Sequence, residues 1–267
     1  MKRISNISNK AAMAGSIISV AGLLVAPMSS FALSTHAATT AAASKSQTSP
    51  FCTNLTAHAN TISTSLSDRS GKVTSAWSQQ DQKLTTGWQQ VDQKVTADRQ
   101  KADSDRNADF TKLEAKAKTD AEKQAVQTYE AAVHNAVATR RDAYDAARQT
   151  FRSGVQDAIS GRHATVTSQL DTFQSSVNSA VSTAEASCAS DPSNGPAIRQ
   201  TLQASLKSAR TTFQSDRKGD STIGGQVKQL AATRNAAFKA ADKAFQTSLS
   251  NARQALQQAF GKNSNSV

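Results

Sequence analysis

ISTSLSDRSGK (62–72), VTSAWSQQDQK (73–83), LTTGWQQVDQK (84–94), VTADRQKADSD (95–105) and RNADFTKLEAK (106–116) line up with one another in blocks of eleven. The first position of four blocks holds Ile62, Val73, Leu84 and Val95, and the fifth position holds Leu66, Trp77, Trp88, Arg99 and Phe110. Eleven residues make three turns at ~3.67 residues per turn, close to the natural α-helix, so the apolar stripe stays on one face. The spacing predicts a long helix with a narrow seam, built to pack on another helix.

Composition points the same way. Aromatic residues make up 5% of the 267 residues, and the 37% hydrophobic fraction is dominated by alanine, the best helix former and a poor source of buried area. With only 11 Gly and 4 Pro, helices have few breaks. The Ser, Thr, Gln and Lys content would also suit a disordered chain, but disorder needs no apolar period. From Asn54 to Ser187 the stripe continues through Phe110, Leu113, Tyr129, Val133, Val137, Tyr144, Phe151, Val155, Ile159, Val166, Leu170, Phe173, Val177 and Val181, with no proline between Pro50 and Pro192.

Residues 1–32 read as a secretory signal peptide. Lys2, Arg3 and Lys10 precede an apolar run from Ala11 to Ala26, Pro27 ends it, and Ser30-Phe31-Ala32 offers small residues for cleavage. Thr35-His36-Ala37 is a second cleavage candidate. The apolar run is shorter than the ~20 residues a membrane span needs. Residues 33–51, rich in Ala, Thr and Ser, read as a flexible leader. The style of the signal peptide reads as bacterial, which places the expected mature chain outside the cytoplasm, in the periplasm, in the envelope or secreted.

Two cysteines, Cys52 and Cys188, flank the long helical region. Export favours a disulfide between them. One straight helix over 53–187 would hold them ~200 Å apart. A fold-back near Asp120 gives arms of equal length and brings the sulfurs together. Thr119 and Glu122 fit a capping box there. An interchain bridge or two free thiols are the other arrangements open to these cysteines. Pairing by equal distance from the bend sets Trp77 against His163 and Trp88 against Arg152. As an alternative to a place in the seam, the two tryptophans would be an aromatic anchor for a partner.

The break Ala189–Pro196 ends the long region. The expected fold is all-α: a long antiparallel coiled-coil-like hairpin with eleven-residue repeats over 52–188, a linker over 189–196, and a shorter basic helical hairpin over 197–260 that turns at Gly219–Gly225. Residues 261–267 read as a disordered tail. VATRRDAYDAARQTFRSGVQDAI (137–159) aligns without a gap on AATRNAAFKAADKAFQTSLSNAR (231–253), which reads as a duplicated helical unit.

The formal charge of +11 sits mostly at the C-terminal end, where residues 189–267 carry eleven Lys or Arg against four acids. Arg199, Lys207, Arg210, Arg217, Lys218, Lys228, Arg234, Lys239, Lys243 and Arg253 are therefore candidate contacts for a polyanion. The partners this implies are anionic envelope polymers or lipid headgroups. The seam offers contact to another helical protein or a second copy. No fold signature for sequence-specific nucleic-acid reading accompanies the basic residues.

Asp103, Asp105, Asn107, Asp109 and Glu114 fall at ligand positions of a segment that resembles the EF-hand calcium loop. The resemblance implies side-chain ligation by Asp103, Asp105, Asn107 and Glu114 and a carbonyl donor at Asp109. Ala108 stands where that loop needs Gly. The segment also lies inside the eleven-residue register, which makes it helix surface instead. His36, His58, His134 and His163 have no His or Cys at metal-ligand spacing. No phosphate-cradling Gly loop, nucleophile elbow or zinc-protease motif occurs. The expectation is thus a non-enzymatic structural or interaction protein without a cofactor. A basic exported helical hairpin is similar in architecture to Skp-type periplasmic holdases, and eleven-residue amphipathic repeats also occur in lipid-surface binders. Intact-mass measurement of natively produced protein should show loss of roughly 32–43 N-terminal residues; a retained N-terminus would make the segment an anchor.

Overall fold

A computed structural model of the chain describes residues 48–219 and 223–261. The expected signal peptide over 1–32, most of the leader, and the tail beyond Gly261 lie outside the described residues. Four helices account for nearly all of the rest: α1 (Pro50–Glu114), α2 (Asp120–Ser190), α3 (Gly195–Gly219) and α4 (Ile223–Ala259). The fold is all-α.

Local signals set the helix ends. Ser49 caps α1, its Oγ accepting from the Cys52 amide at 3.2 Å, and Pro50 occupies the first turn, where its missing N–H costs nothing. Order thus reaches into the end of the expected leader. The Ser49 amide also donates to the Pro192 carbonyl at 2.7 Å, tying the start of α1 to the α2–α3 connection. The reversal between α1 and α2 uses no Gly or Pro. The Thr119 Oγ1 accepts from the Glu122 amide at 3.2 Å, and the Glu122 carboxylate accepts from the Thr119 and Lys118 amides at 2.9 and 2.7 Å. That capping box fixes the first turn of α2 where the sequence places the bend.

α1 and α2 run antiparallel and are joined by the Cys52–Cys188 disulfide, with Cα atoms 5.4 Å apart. The cross-arm pairs expected from equal distance to the bend are present. Trp77 stacks on His163 at 4.2 Å, and the Arg152 guanidinium lies 5.5 Å from the centre of the Trp88 ring. Both tryptophans are therefore engaged within the chain. Along α1, Ile62, Leu66, Val73, Trp77, Leu84, Trp88, Val95 and Arg99 are half-buried, and only Leu55 and Phe110 are buried.

α2 carries nine buried residues and is the helix on which the others pack. Leu55, Val181, Ala184, Ile198 and Leu202 form one cluster at the disulfide end, joining α1, α2 and α3. Ala117, Val126 and Leu256 form another at the bend, with Leu113, Tyr129 and Phe260 against it.

The arrangement of the last third differs from the self-paired hairpin expected over 197–260. Among the described residues α3 and α4 do not pack on one another; each packs on α2. Ile198 of α3 lies with Val181, and Phe213 meets Phe173 at 5.2 Å. On α4, Leu230 approaches Gly154, and Leu256 reaches Val126. Both helices thus run antiparallel to α2, one after the other. The apolar side of α4, with Leu230, Phe238 and Leu256, is the side that meets α2.

Burying a Leu or Phe is worth ~1.5–3 kcal/mol, so two such side chains are a thin hold for a helix as long as α1. The disulfide closes a span of 136 residues and contributes up to ~5 kcal/mol in chain-entropy terms. Non-reducing peptide mapping should recover the Cys52 and Cys188 peptides joined. Reduction, or Cys52→Ser with Cys188→Ser, should lower the melting temperature markedly while leaving helicity in the cold. An unchanged melting temperature would show that the seam alone holds α1.

Candidate functional site

Segments 137–159 and 231–253, which align in sequence, meet face to face. Tyr144 of α2 and its counterpart Phe238 of α4 stack with centres 4.1 Å apart and planes 6° from parallel. On one side of this stack the Arg140 guanidinium lies over Tyr144 and Phe245, at 5.1 and 5.0 Å. On the other, its counterpart Arg234 lies over Phe238 and Phe151, at 5.7 and 4.6 Å. Arginine is suited to this role because its weakly hydrated plane tolerates an aromatic face. Gly154 is the close-approach point: a Cβ there would lie 2.6 Å from a Leu230 methyl. The glycine makes room for the larger side chain.

One acid completes half of this interface. The Asp242 carboxylate accepts from Arg140 Nε at 2.7 Å and from the Tyr144 hydroxyl at 2.8 Å. Burial, and then this bond to Asp242, raise the Tyr144 pKa above its ordinary value.

A second set of charges joins α1 to α2. Arg152 donates twice to Asp92, at 2.7 Å each, and Arg141 donates twice to Asp103, at 2.9 and 2.7 Å. Arg99 donates twice to Asp145, at 2.8 and 2.7 Å. Asp92 and Asp103 are one eleven-residue step apart on α1, as are Arg141 and Arg152 on α2. One more step along both helices reaches Asp81 and His163, whose imidazole lies against Trp77 within the field of Asp81.

This geometry decides the calcium reading. Residues 103–114 are helical throughout, which spreads Asp103, Asp105, Asn107, Asp109 and Glu114 around a helix instead of turning them inward. Asp103 is occupied by Arg141 and Arg106, and Asp109 accepts from Lys112 at 3.0 Å. Without Gly at position 108, the helical register wins over the loop.

The basic candidates divide. Arg234 is half-buried among aromatic rings, with its guanidinium donating to Asn235 Oδ1 at 2.9 Å, so it is part of the α2–α4 interface and not of an open face. Arg199, Arg210 and Arg217 are half-buried on α3 and engaged in interactions of their own. Lys207, Lys218, Lys228, Lys239, Lys243 and Arg253 are exposed. At ~100° per residue, Lys228, Lys239, Lys243 and Arg253 fall within about 80° of arc on α4. The single acid of α4, Asp242, is turned to Arg140. At the same angle per residue Arg234 falls on the opposite side of α4, so sequence periodicity could have found both the stripe and the departure of Arg234 from it.

An open cleft beside the middle of α1 is lined by Ser67, Ser70, Thr74, Ser78, Gln82 and Gln174, hydroxyl and amide groups without an acid or base among them. Among the described residues no helix is long and apolar enough to cross a membrane. The chain matches no known protein family, no characterised protein and no solved structure.

The cross-arm charges make stability pH-dependent with a fixed sign. Burial pushes the His163 imidazole below 6.5, and the Arg141 guanidinium draws the Asp103 carboxyl down to about 2. Both folded-state values are depressed, so both contributions are complete above the ordinary values and are lost as pH falls through the folded ones. Tryptophan fluorescence, reporting only Trp77 and Trp88, should show a first weakening below pH 6.5 and a second between pH 3.8 and about 2. His163→Gln should remove the first. Asp103→Asn should reduce the second, to which Asp92 and Asp145 also contribute, at a cost of up to ~1 kcal/mol, since the carboxylate is 39% exposed. A pH response identical in both variants would remove this account.

Proposed function

We propose that the chain is an exported, non-enzymatic helical interaction protein of a bacterial envelope or its exterior, and that its C-terminal helices contact anionic envelope polymers. The observation that carries the reading is the α4 stripe of Lys228, Lys239, Lys243 and Arg253, exposed on a helix whose only acid is already committed to Arg140. Four like charges on one helical face attract a flexible polyanion along its length, with no pocket required. The Cys52–Cys188 bridge suits an oxidising compartment outside the cytoplasm. The apolar side of α4 is spent on α2, which leaves it little to insert among lipids and supports no cradle between α2 and α4 for an unfolded client.

The test is binding of inorganic polyphosphate to the mature protein. Affinity should fall steeply with added salt, because charge screening shortens to ~3 Å at 1 M. Lys239→Glu with Lys243→Glu should abolish binding while leaving the helical content unchanged, since both side chains are exposed. Binding that survives high salt or this reversal would remove the electrostatic reading.

A further inference from the structure

The α2–α4 interface has a local two-fold relation between residues 94 apart in sequence, and its two halves are not chemically equal. Arg140 over Phe245 corresponds to Arg234 over Phe151, at 5.0 and 4.6 Å. Tyr144 and Phe238 correspond to one another across their own stack. Asp242, which neutralises Arg140 at 2.7 Å and takes the Tyr144 hydroxyl at 2.8 Å, corresponds to Arg148. One half therefore has an arginine with its carboxylate. The other has Arg234 with a second arginine, both near Phe238 at 5.7 and 5.8 Å.

Neighbouring acids do not repair the deficit. Both oxygens of Asp92 are bound by Arg152, and both oxygens of Asp145 by Arg99. Arg148 shares one Asp145 oxygen at 3.0 Å. The hydrogen bonds of Arg234 go to the neutral amide of Asn235, at 3.2 and 2.9 Å. The guanidinium groups of Arg99, Arg148 and Arg152 thus share two carboxylates, each already held in a two-point grip, and Arg234 lies within the field of Arg148. Burial is the larger cause that depresses the pKa of both Arg148 and Arg234; repulsion by Arg99 and Arg152 adds to it at Arg148, where Asp145 acts the other way, and repulsion by Arg148 adds to it at Arg234. Half-buried charge of one sign is costly unless a counter-charge joins it.

We propose that a small oxyanion, a phosphate or sulfate group, binds between the guanidinium groups of Arg148 and Arg234 and supplies the negative charge that Asp242 gives the related half of the interface. Each guanidinium keeps donors in its planar fork for a tetrahedral oxyanion, a geometry that favours two-point contact over a point charge. The Arg148 side chain is 21% exposed, so the group is reachable from solvent yet shielded enough for its charge to act strongly. This site is separate from the lysine stripe and does not rest on the stripe's function.

The experiment is calorimetric titration of the mature protein with inorganic phosphate, with chloride as the control at matched ionic strength. One phosphate per chain should bind and raise the melting temperature above that in chloride. Arg148→Gln and Arg234→Gln should each weaken binding about tenfold or more, the effect of losing a charged hydrogen-bond donor. Lys239→Gln with Lys243→Gln should leave phosphate binding intact while weakening polyphosphate binding, so the two readings fail separately. Competition by polyphosphate for the bound phosphate would assign the group to a polymer, and its absence to a free ion. No difference between phosphate and chloride in the unsubstituted protein would overturn the site, a result that depends on no variant folding. So would loss of phosphate binding in the double lysine variant with retention in both arginine variants.

Discussion

Along its whole length α1 buries only Leu55 and Phe110, so its apolar seam does little to fix how far it slides along α2. The Cys52–Cys188 bond supplies that constraint at one end, and the Thr119–Glu122 capping box supplies it at the other. Between two fixed ends every cross-arm contact falls into one register. Trp77 meets His163, Trp88 meets Arg152, and Asp92, Arg99 and Asp103 meet Arg152, Asp145 and Arg141. Exposed ion pairs of this kind are individually worth ~0–1 kcal/mol and would be poor at choosing a register unaided. Held in place by the ends, they act together against slippage, since a shift by one turn would break all of them at once.

α2 meets this polar seam on one side and the aromatic interface with α4 on another. The difference follows from composition. The α1 seam has few large apolar residues and relies on bidentate arginines. The α4 face brings Leu230, Phe238, Phe245 and Leu256, which suffice to bury surface without a covalent link. α3 lies near the disulfide end, where Ile198 and Leu202 complete the cluster around Leu55 and Val181. Covalent closure and the largest mixed cluster therefore coincide at one end of α2.

The hairpin was legible in the sequence because its signals are local or arithmetic. The Thr119-to-Glu122 spacing marks a helix start, and the distances of Cys52 and Cys188 from it are equal. The pairing of Trp77 with His163 and Trp88 with Arg152 follows from those distances alone. What was not legible was partner choice. A Gly-rich segment between two basic helices reads as a hairpin turn, and no local rule says that α4 prefers α2 to α3. The ungapped alignment of 137–159 on 231–253 relates the two segments that meet, but likeness in sequence does not by itself name a partner. Gly154 illustrates the limit: by propensity it weakens a helix by ~1 kcal/mol, yet here it is the space that admits Leu230. Arg234 shows it again, a cation by composition that the fold places among rings. In the calcium-like segment the helical register expected from the sequence is what the fold adopts, because ligand-type residues at loop spacing also suit a charged helix face.

The alignment of α4 on α2 allows a pairing of α2 with α2 of a second chain to be compared, residue by residue, with the α2–α4 contact. In such a pairing the position opposite Arg140 would hold Arg148 in place of Asp242, so the charge-assisted bond becomes a repulsion. The position opposite Gly154 would hold Ala136 in place of Leu230, leaving a gap where a methyl-rich side chain now sits. Both substitutions act in the same direction, one through charge and one through volume. Segment 137–159 is thus a better match for 231–253 than for itself. The difference at Asp242 and Leu230 makes the contact specific to α4. The same difference leaves Arg148 opposite Arg234, so the anion deficit on the second half of the interface is the counterpart of the specificity gained on the first.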